Sequence, residues 1–206
     1  MSKHRLDALV DGIFAVAMTL LVIELKLPED FHAIRSLELL QVLVNLIPRF
    51  VGWVISFFVL AMFWWGQTRA LHYTKRVDGT FTALNLLLLA FASFLPFASA
   101  VSGQLPLLLG SQIVYSTVMF MMAVAALLIW RYVHRHPELC EPPMPNGVYR
   151  EAQFRTGMLM VISVAAVLLA MRFPGSGNAA FMLMMPAGAV GRAMQLRAEK
   201  RAGRVD

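Results

Sequence analysis

Charged side chains are scarce in this chain, making up 15% of its 206 residues against about a quarter in ordinary soluble domains. That shortage excludes an ordinary water-soluble fold, because the long apolar runs between short charged segments leave no stretch able to build a core facing water. Cysteine is limited to Cys140, so an intrachain disulfide and a thiolate metal site are both excluded. The five histidines, His4, His32, His72, His134 and His136, all fall in loops or at the ends of apolar segments. None is placed to ligate a haem between two spans, and no H-E-x-x-H helix exists for zinc hydrolysis. No catalytic set, metal site or cofactor is therefore expected. The net charge of +6 does not point to nucleic acid either, because the basic residues cap apolar segments instead of forming one patch.

What remains is an integral membrane protein, with 59% hydrophobic residues distributed over six apolar segments. The expected spans are 8–26, 37–65, 81–100, 107–129, 154–170 and 179–190, forming one all-α membrane domain over residues 1–206. Pro48 and Arg49 interrupt the second and predict a kink or break between an outer part and a main span. Arg49 is expected to snorkel or to pair with an acid of the outer loop. Trp64 and Trp65 read as an aromatic belt at the far interface. The sixth segment is short and holds Pro186 and two glycines, so it can lie half-buried in the bundle. A six-span arrangement puts fourteen of the eighteen Lys and Arg on one side and leaves Lys26, Arg35, Arg49 and Arg172 on the other. By the positive-inside rule both termini are cytoplasmic, in a plasma (inner) membrane.

The chain is organised around its first helix, Arg5 to Pro28. Asp11 is the only ionisable residue from Ala8 to Val22, and at about 1.5 Å per residue the helix reaches across a bilayer. Asp7 and Asp11 argue against a signal peptide, which wants positive charge and then an uninterrupted apolar core. Val16, Leu20, Ile23 and Leu27 share one face, with Thr19 beside them. Two readings are open. The stripe packs against neighbouring helices, or, in several copies around an axis, it forms stacked apolar rings beside a ring of hydroxyls, one way to build a narrow ion path. Asn85, inside the third span, either ties two helices together or lines a wet cavity. Asp11 needs a partner as well: Gln67, Thr68 or Asn85 from neighbouring helices, or a role in a ring that attracts cations.

Three stretches resemble the transmembrane protein 175 family of potassium channels. RLDALVDGIFAVAMTLLVIELKLP is similar to the family's first helix, with Arg5 and Asp11 at the charged positions of an Arg-x-x-x-Phe-Ser-Asp signature and Leu9 and Val10 in place of Phe and Ser. FWWGQTRALH is similar to a Phe-Trp-x-x-His-His-Arg segment; Phe63, Trp64 and Arg69 match, while Gln67 and Thr68 replace the paired histidines. Asn85 to Phe97 resembles the third helix. The resemblance implies a homotetramer, bathed in lipid and conducting potassium ions, with the first helices around a central pore and Val16, Thr19, Leu20 and Ile23 lining it. It also implies a polar network among Arg5, Asp11, Trp64, Gln67, Thr68, Arg69 and Asn85. No Thr-Val-Gly-Tyr-Gly-like loop lies between any two spans, so a filter of backbone carbonyls is excluded. A secondary transporter and a membrane enzyme are the competing functions; the first wants an internal repeat and the second clustered acids or histidines, and neither is found.

Overall fold

The computed structural model describes residues 2–23, 25–26 and 36–182. Their elements, in order, are the helices α1 (Lys3–Ile23), α2 (Ser36–Asn45), α3 (Ile47–Tyr73), α4 (Gly79–Gln104), α5 (Leu109–Arg135), α6 (Asn146–Arg172) and α7 (Gly177–Phe181), with one 3-10 turn at Pro137–Leu139. Five of them, α1, α3, α4, α5 and α6, are long and apolar enough to cross a membrane. Of the expected sixth span, residues 179–181 belong to the short α7 and 183–190 lie outside the described residues.

The expected second span, 37–65, is two helices. Pro48 occupies the first turn of α3, where its missing N–H costs nothing, but in a continuous helix it would remove a bond and clash with the preceding turn. The chain therefore restarts at Ile47. At the other end α3 does not stop at Trp65 but runs about two more turns to Tyr73, with Thr74 turning to extended backbone. Trp64 and Trp65 are thus inside a helix, not at its end. The other spans are longer than hydropathy suggests: α5 runs six residues past the expected 129 and α6 begins eight before 154.

α5 is the centre of the bundle, with buried side chains from Ser111 to Val133, and packs on α4 at one side and α6 at the other. α1 lies at an edge against α3 and α4, burying Leu6, Val10, Phe14, Ala17 and Leu21, steps of four, four, three and four residues that make one helical stripe. The ends of α3 and α5 are bound to each other. Lys75 N donates to Leu139 O at 2.7 Å, Glu141 N donates to Tyr73 O at 3.0 Å, and Lys75 pairs with Glu141. Asp78 caps α4 by accepting from Phe81 N at 2.7 Å and also accepts from the Tyr132 phenol. That phenol is the main cause holding the Asp78 carboxyl below its usual value; partial burial opposes it and the Phe81 amide assists. Lys3, Arg5, Lys75, Arg76, Arg131, Arg135 and Arg150 gather at this end of the bundle, and Lys26, Arg49 and Arg172 at the opposite end.

Candidate functional site: the outward face of the first helix and its polar braces

With α1's inner stripe buried against α3 and α4, the helix turns its predicted stripe away from its own bundle. Val16, Leu20 and Ile23 are 57%, 41% and 52% exposed. Thr19 lies on the same exposed face and turns its hydroxyl back to Val16 O at 2.8 Å. Among the described residues no helix of the same chain covers these side chains, which leaves both readings of the stripe, packing against helices of another copy and lining an ion path, to an assembly. Leu27 lies outside the described residues. Ala8, Gly12 and Ala15 continue the outward face towards the basic end, and a Cβ at Gly12 would meet nothing within 4 Å. A second helix can approach there closely.

The polar residues brace α1 and α3 in a way the sequence indicated only in part. Asp11 Oδ1 accepts from Trp64 Nε1 at 2.7 Å, so its partner is the indole and not Gln67, Thr68 or Asn85. A hydrogen bond to a charged group contributes about 1.5–3 kcal/mol, and this one fixes the rotation of α1 against α3. Gln67 and Asn85 are buried, at 1% and 0% exposure, and satisfy each other: Gln67 Nε2 donates to Asn85 Oδ1 at 2.5 Å, while Asn85 Nδ2 donates to Phe81 O at 2.8 Å. Asn85 is thus a tie between α3 and α4. Among the described residues Thr68 bonds only within its own helix, to Trp64 O at 3.0 Å. Arg5 is exposed and has no hydrogen bond or ion pair with a described residue.

Arg69 leaves this group and forms an ion pair with Glu151 of α6 at 2.6 Å. That pairing was legible in principle, since Glu151 is the one acid between Met144 and Arg172. Arg155, one turn on, reaches between α6 and α3, where a Cβ at Gly66 would overlap its guanidinium; glycine at 66 is what admits it. A hydroxyl cluster was also missed. Ser56 Oγ donates to Gly52 O and lies 2.9 Å from both Ser99 Oγ and Tyr115 Oη, joining α3, α4 and α5. No group of three or more His, Cys, Asp or Glu able to hold a metal ion occurs among the described residues.

Comparison with known proteins gives a consistent result. The family model described as "Endosomal/lysosomal potassium channel TMEM175" matches residues 5–96, the stretch from α1 to Pro96 of α4 that holds both the stripe and most of its braces. A potassium channel of Streptomyces collinus is 31% identical over 73% of this chain and 74% of its own length. A potassium channel of Chamaesiphon minutus is 29% identical over 62% of this chain, which spans 64% of that relative. Among solved structures, a lysosomal potassium-selective channel TMEM175 homolog from Chamaesiphon minutus superposes with a TM-score of 0.71 at 25% identity, covering 92% of this chain and 97% of that one.

Proposed function

The chain belongs to the TMEM175 family of potassium channels, and from that premise we propose that it conducts potassium through a central pore formed by four copies and lined by Val16, Thr19, Leu20 and Ile23. It is a passive potassium channel and not an enzyme. The observation that supports the pore reading is the outward turn of the stripe: a helix edge-packed on α3 and α4 leaves Val16, Leu20 and Ile23 half exposed, and four such edges around an axis enclose them. Potassium is then the permeant at this face, lipid surrounds the outer surface of the assembly, and the reading calls for no cofactor. Arg5, with no partner among the described residues, is placed to find one on a neighbouring copy, while the Asp11–Trp64 and Gln67–Asn85 contacts hold α1, α3 and α4 in register, Arg69 ties α3 to α6 and Thr68 bonds within α3. Purified protein in liposomes is expected to carry potassium down its gradient faster than sodium, with no coupled ion. Potassium movement that requires a second ion's gradient would make it a transporter.

The basic end of this single membrane domain is taken as cytoplasmic, in the plasma membrane, because Lys and Arg accumulate there. Reporter fusions after Arg76, Gly103, Gly147 and Gly175 are expected to lie in, out, in and out. A reporter active on the outer side at Gly147 contradicts this orientation.

A further inference from the structure

At the basic end of the bundle a groove of about 360 Å³ opens between α4 and α5, lined by Leu84, Leu128, Arg131, Tyr132, Arg135 and His136. Leu128, Arg131 and Arg135 follow an i, i+3, i+7 spacing, so one face of α5 turns from apolar to cationic as it nears this end. From Leu128 to Arg135 the helix advances about 10 Å, enough to pass from the acyl chains of a bilayer into its headgroups. The apolar side continues away from the basic end, because Leu87 on α4 and Met121 on α5 share the faces of Leu84 and Leu128 and are themselves exposed. The floor of the groove is held in place. The Tyr132 phenol donates to Asp78, the cap of α4, and the His136 ring lies over the Tyr132 ring with centroids 4.2 Å apart, its Nδ1 donating to Tyr132 O at 2.9 Å. Arg131 and Arg135, by contrast, are exposed at the rim. Among the described residues the acids close to Tyr132 are Asp78, taken up by that phenol and by the Phe81 amide, and Glu138, on the turn beyond α5. Residues 183–206, outside the described ones, carry five Lys and Arg against Glu199 and Asp206, a net charge of the same sign as the rim.

We propose that this groove seats an anionic phospholipid of the leaflet at the basic end, with its phosphate between the Arg131 and Arg135 guanidiniums and an acyl chain along Leu84 and Leu128. Two arginines one turn apart present paired N–H groups to the oxygens of a phosphodiester, and basic pockets between membrane helices suit anionic headgroups. A free phosphate would use the rim and leave the apolar track unfilled. A zwitterionic lipid would fill the track but bring its own cation beside two guanidiniums. A lipid with a net negative headgroup meets both demands at once, and it clips the first turns of α4 to the last turns of α5, which the Asp78 and Tyr132 bond already joins. No residue of α1 lines the groove, so the seat does not depend on whether α1 lines a pore.

The test reads binding, not flux. The full-length protein, delipidated in a neutral maltoside detergent, is titrated with dihexanoyl phosphatidylglycerol, and its unfolding midpoint is followed. Dihexanoyl phosphatidylcholine and glycerol 3-phosphate are titrated in parallel. A saturable rise in Tm is expected with phosphatidylglycerol, at a half-saturating concentration about tenfold or more below that of phosphatidylcholine, and none with glycerol 3-phosphate over the same range. Arg131→Gln and Arg135→Gln keep the helix, since Gln is about as good a helix former as Arg, and each should raise the half-saturating concentration about threefold, the two together about tenfold. Arg150→Gln, at an exposed arginine of α6 at the same end of the bundle, should leave it unchanged. A rise with glycerol 3-phosphate equal to that with the lipid would mean a free-anion site, and equal rises with the two lipids a seat indifferent to charge. A loss at Arg150→Gln as large as that at Arg131→Gln would mean attraction to the basic end as a whole. Any of these three results, or no rise with phosphatidylglycerol, overturns the proposal.

Discussion

Potassium flux through vesicles carrying Leu20→Asn or Ile23→Asn is expected to exceed that of the unaltered protein by about tenfold, the effect of lowering a barrier by about 1.4 kcal/mol, with weaker discrimination against sodium. A narrow apolar ring resists ions because water leaves it and the ion loses its hydration shell. In the proposed assembly of four copies, four amides at one level would restore hydrogen-bonding partners for water and ion alike. The substitutions are unlike core mutations, since both positions are about half exposed in a single chain and Asn costs only about half a kcal/mol in helix propensity. Val22 is equally exposed but points about 120° away from Val16 around α1. Val22→Asn should leave both flux and selectivity as they were. An increase at Val22 without one at Leu20 or Ile23 would put the ion path on another face.

The second large effect is on stability. Asn85→Leu removes the acceptor that the buried Gln67 amide has among the described residues, and stranding a buried donor costs about 1–3 kcal/mol. For a chain of this size that is a fall in Tm of about 2–4 °C per kcal/mol. Phe81 O, which also receives the Asn85 amide, keeps its helical bond, so most of the loss lies at Gln67. Replacing both residues, Asn85→Leu with Gln67→Leu, removes the stranded group and should recover most of the midpoint. The two positions are in contact, so their effects are not additive. A double variant no more stable than Asn85→Leu alone would mean that the tie between α3 and α4 does not account for the buried amides.

How legible all this was depends on which physical signal carries each feature. Apolar run length located every described span, because crossing a bilayer demands about 20 apolar residues. It misplaced the ends, because hydropathy ends where polarity begins whereas a helix ends where its backbone bonds are capped. The run GQTRALHY reads as a loop, yet Gln67 and Arg69 stay helical because Asn85 and Glu151 meet them; those partners are 18 and 82 residues away and have no local signature. The same misplacement hid Trp64 as the partner of Asp11. A tryptophan taken to sit at a span's end reads as a lipid anchor, but two turns inside α3 it faces α1. The outward stripe was visible as spacing alone, since four apolar or hydroxyl side chains on one helical face need no knowledge of the neighbours. Which way that face turns was not, because it depends on Leu6, Val10, Phe14, Ala17 and Leu21 winning the contact with α3 and α4.

The central claim is that the face of α1 bearing Val16, Thr19, Leu20 and Ile23 lines the ion path, and the single native cysteine makes a direct test simple. In a Cys140→Ser background, single cysteines at Leu20, Ile23 and Val22 are introduced, the protein is reconstituted in liposomes, and potassium flux is followed while a small charged methanethiosulfonate reagent is added. The account predicts block at Leu20→Cys and Ile23→Cys, slowed when potassium is abundant, and none at Val22→Cys. Block at Val22→Cys with unaltered flux at the other two positions would contradict it.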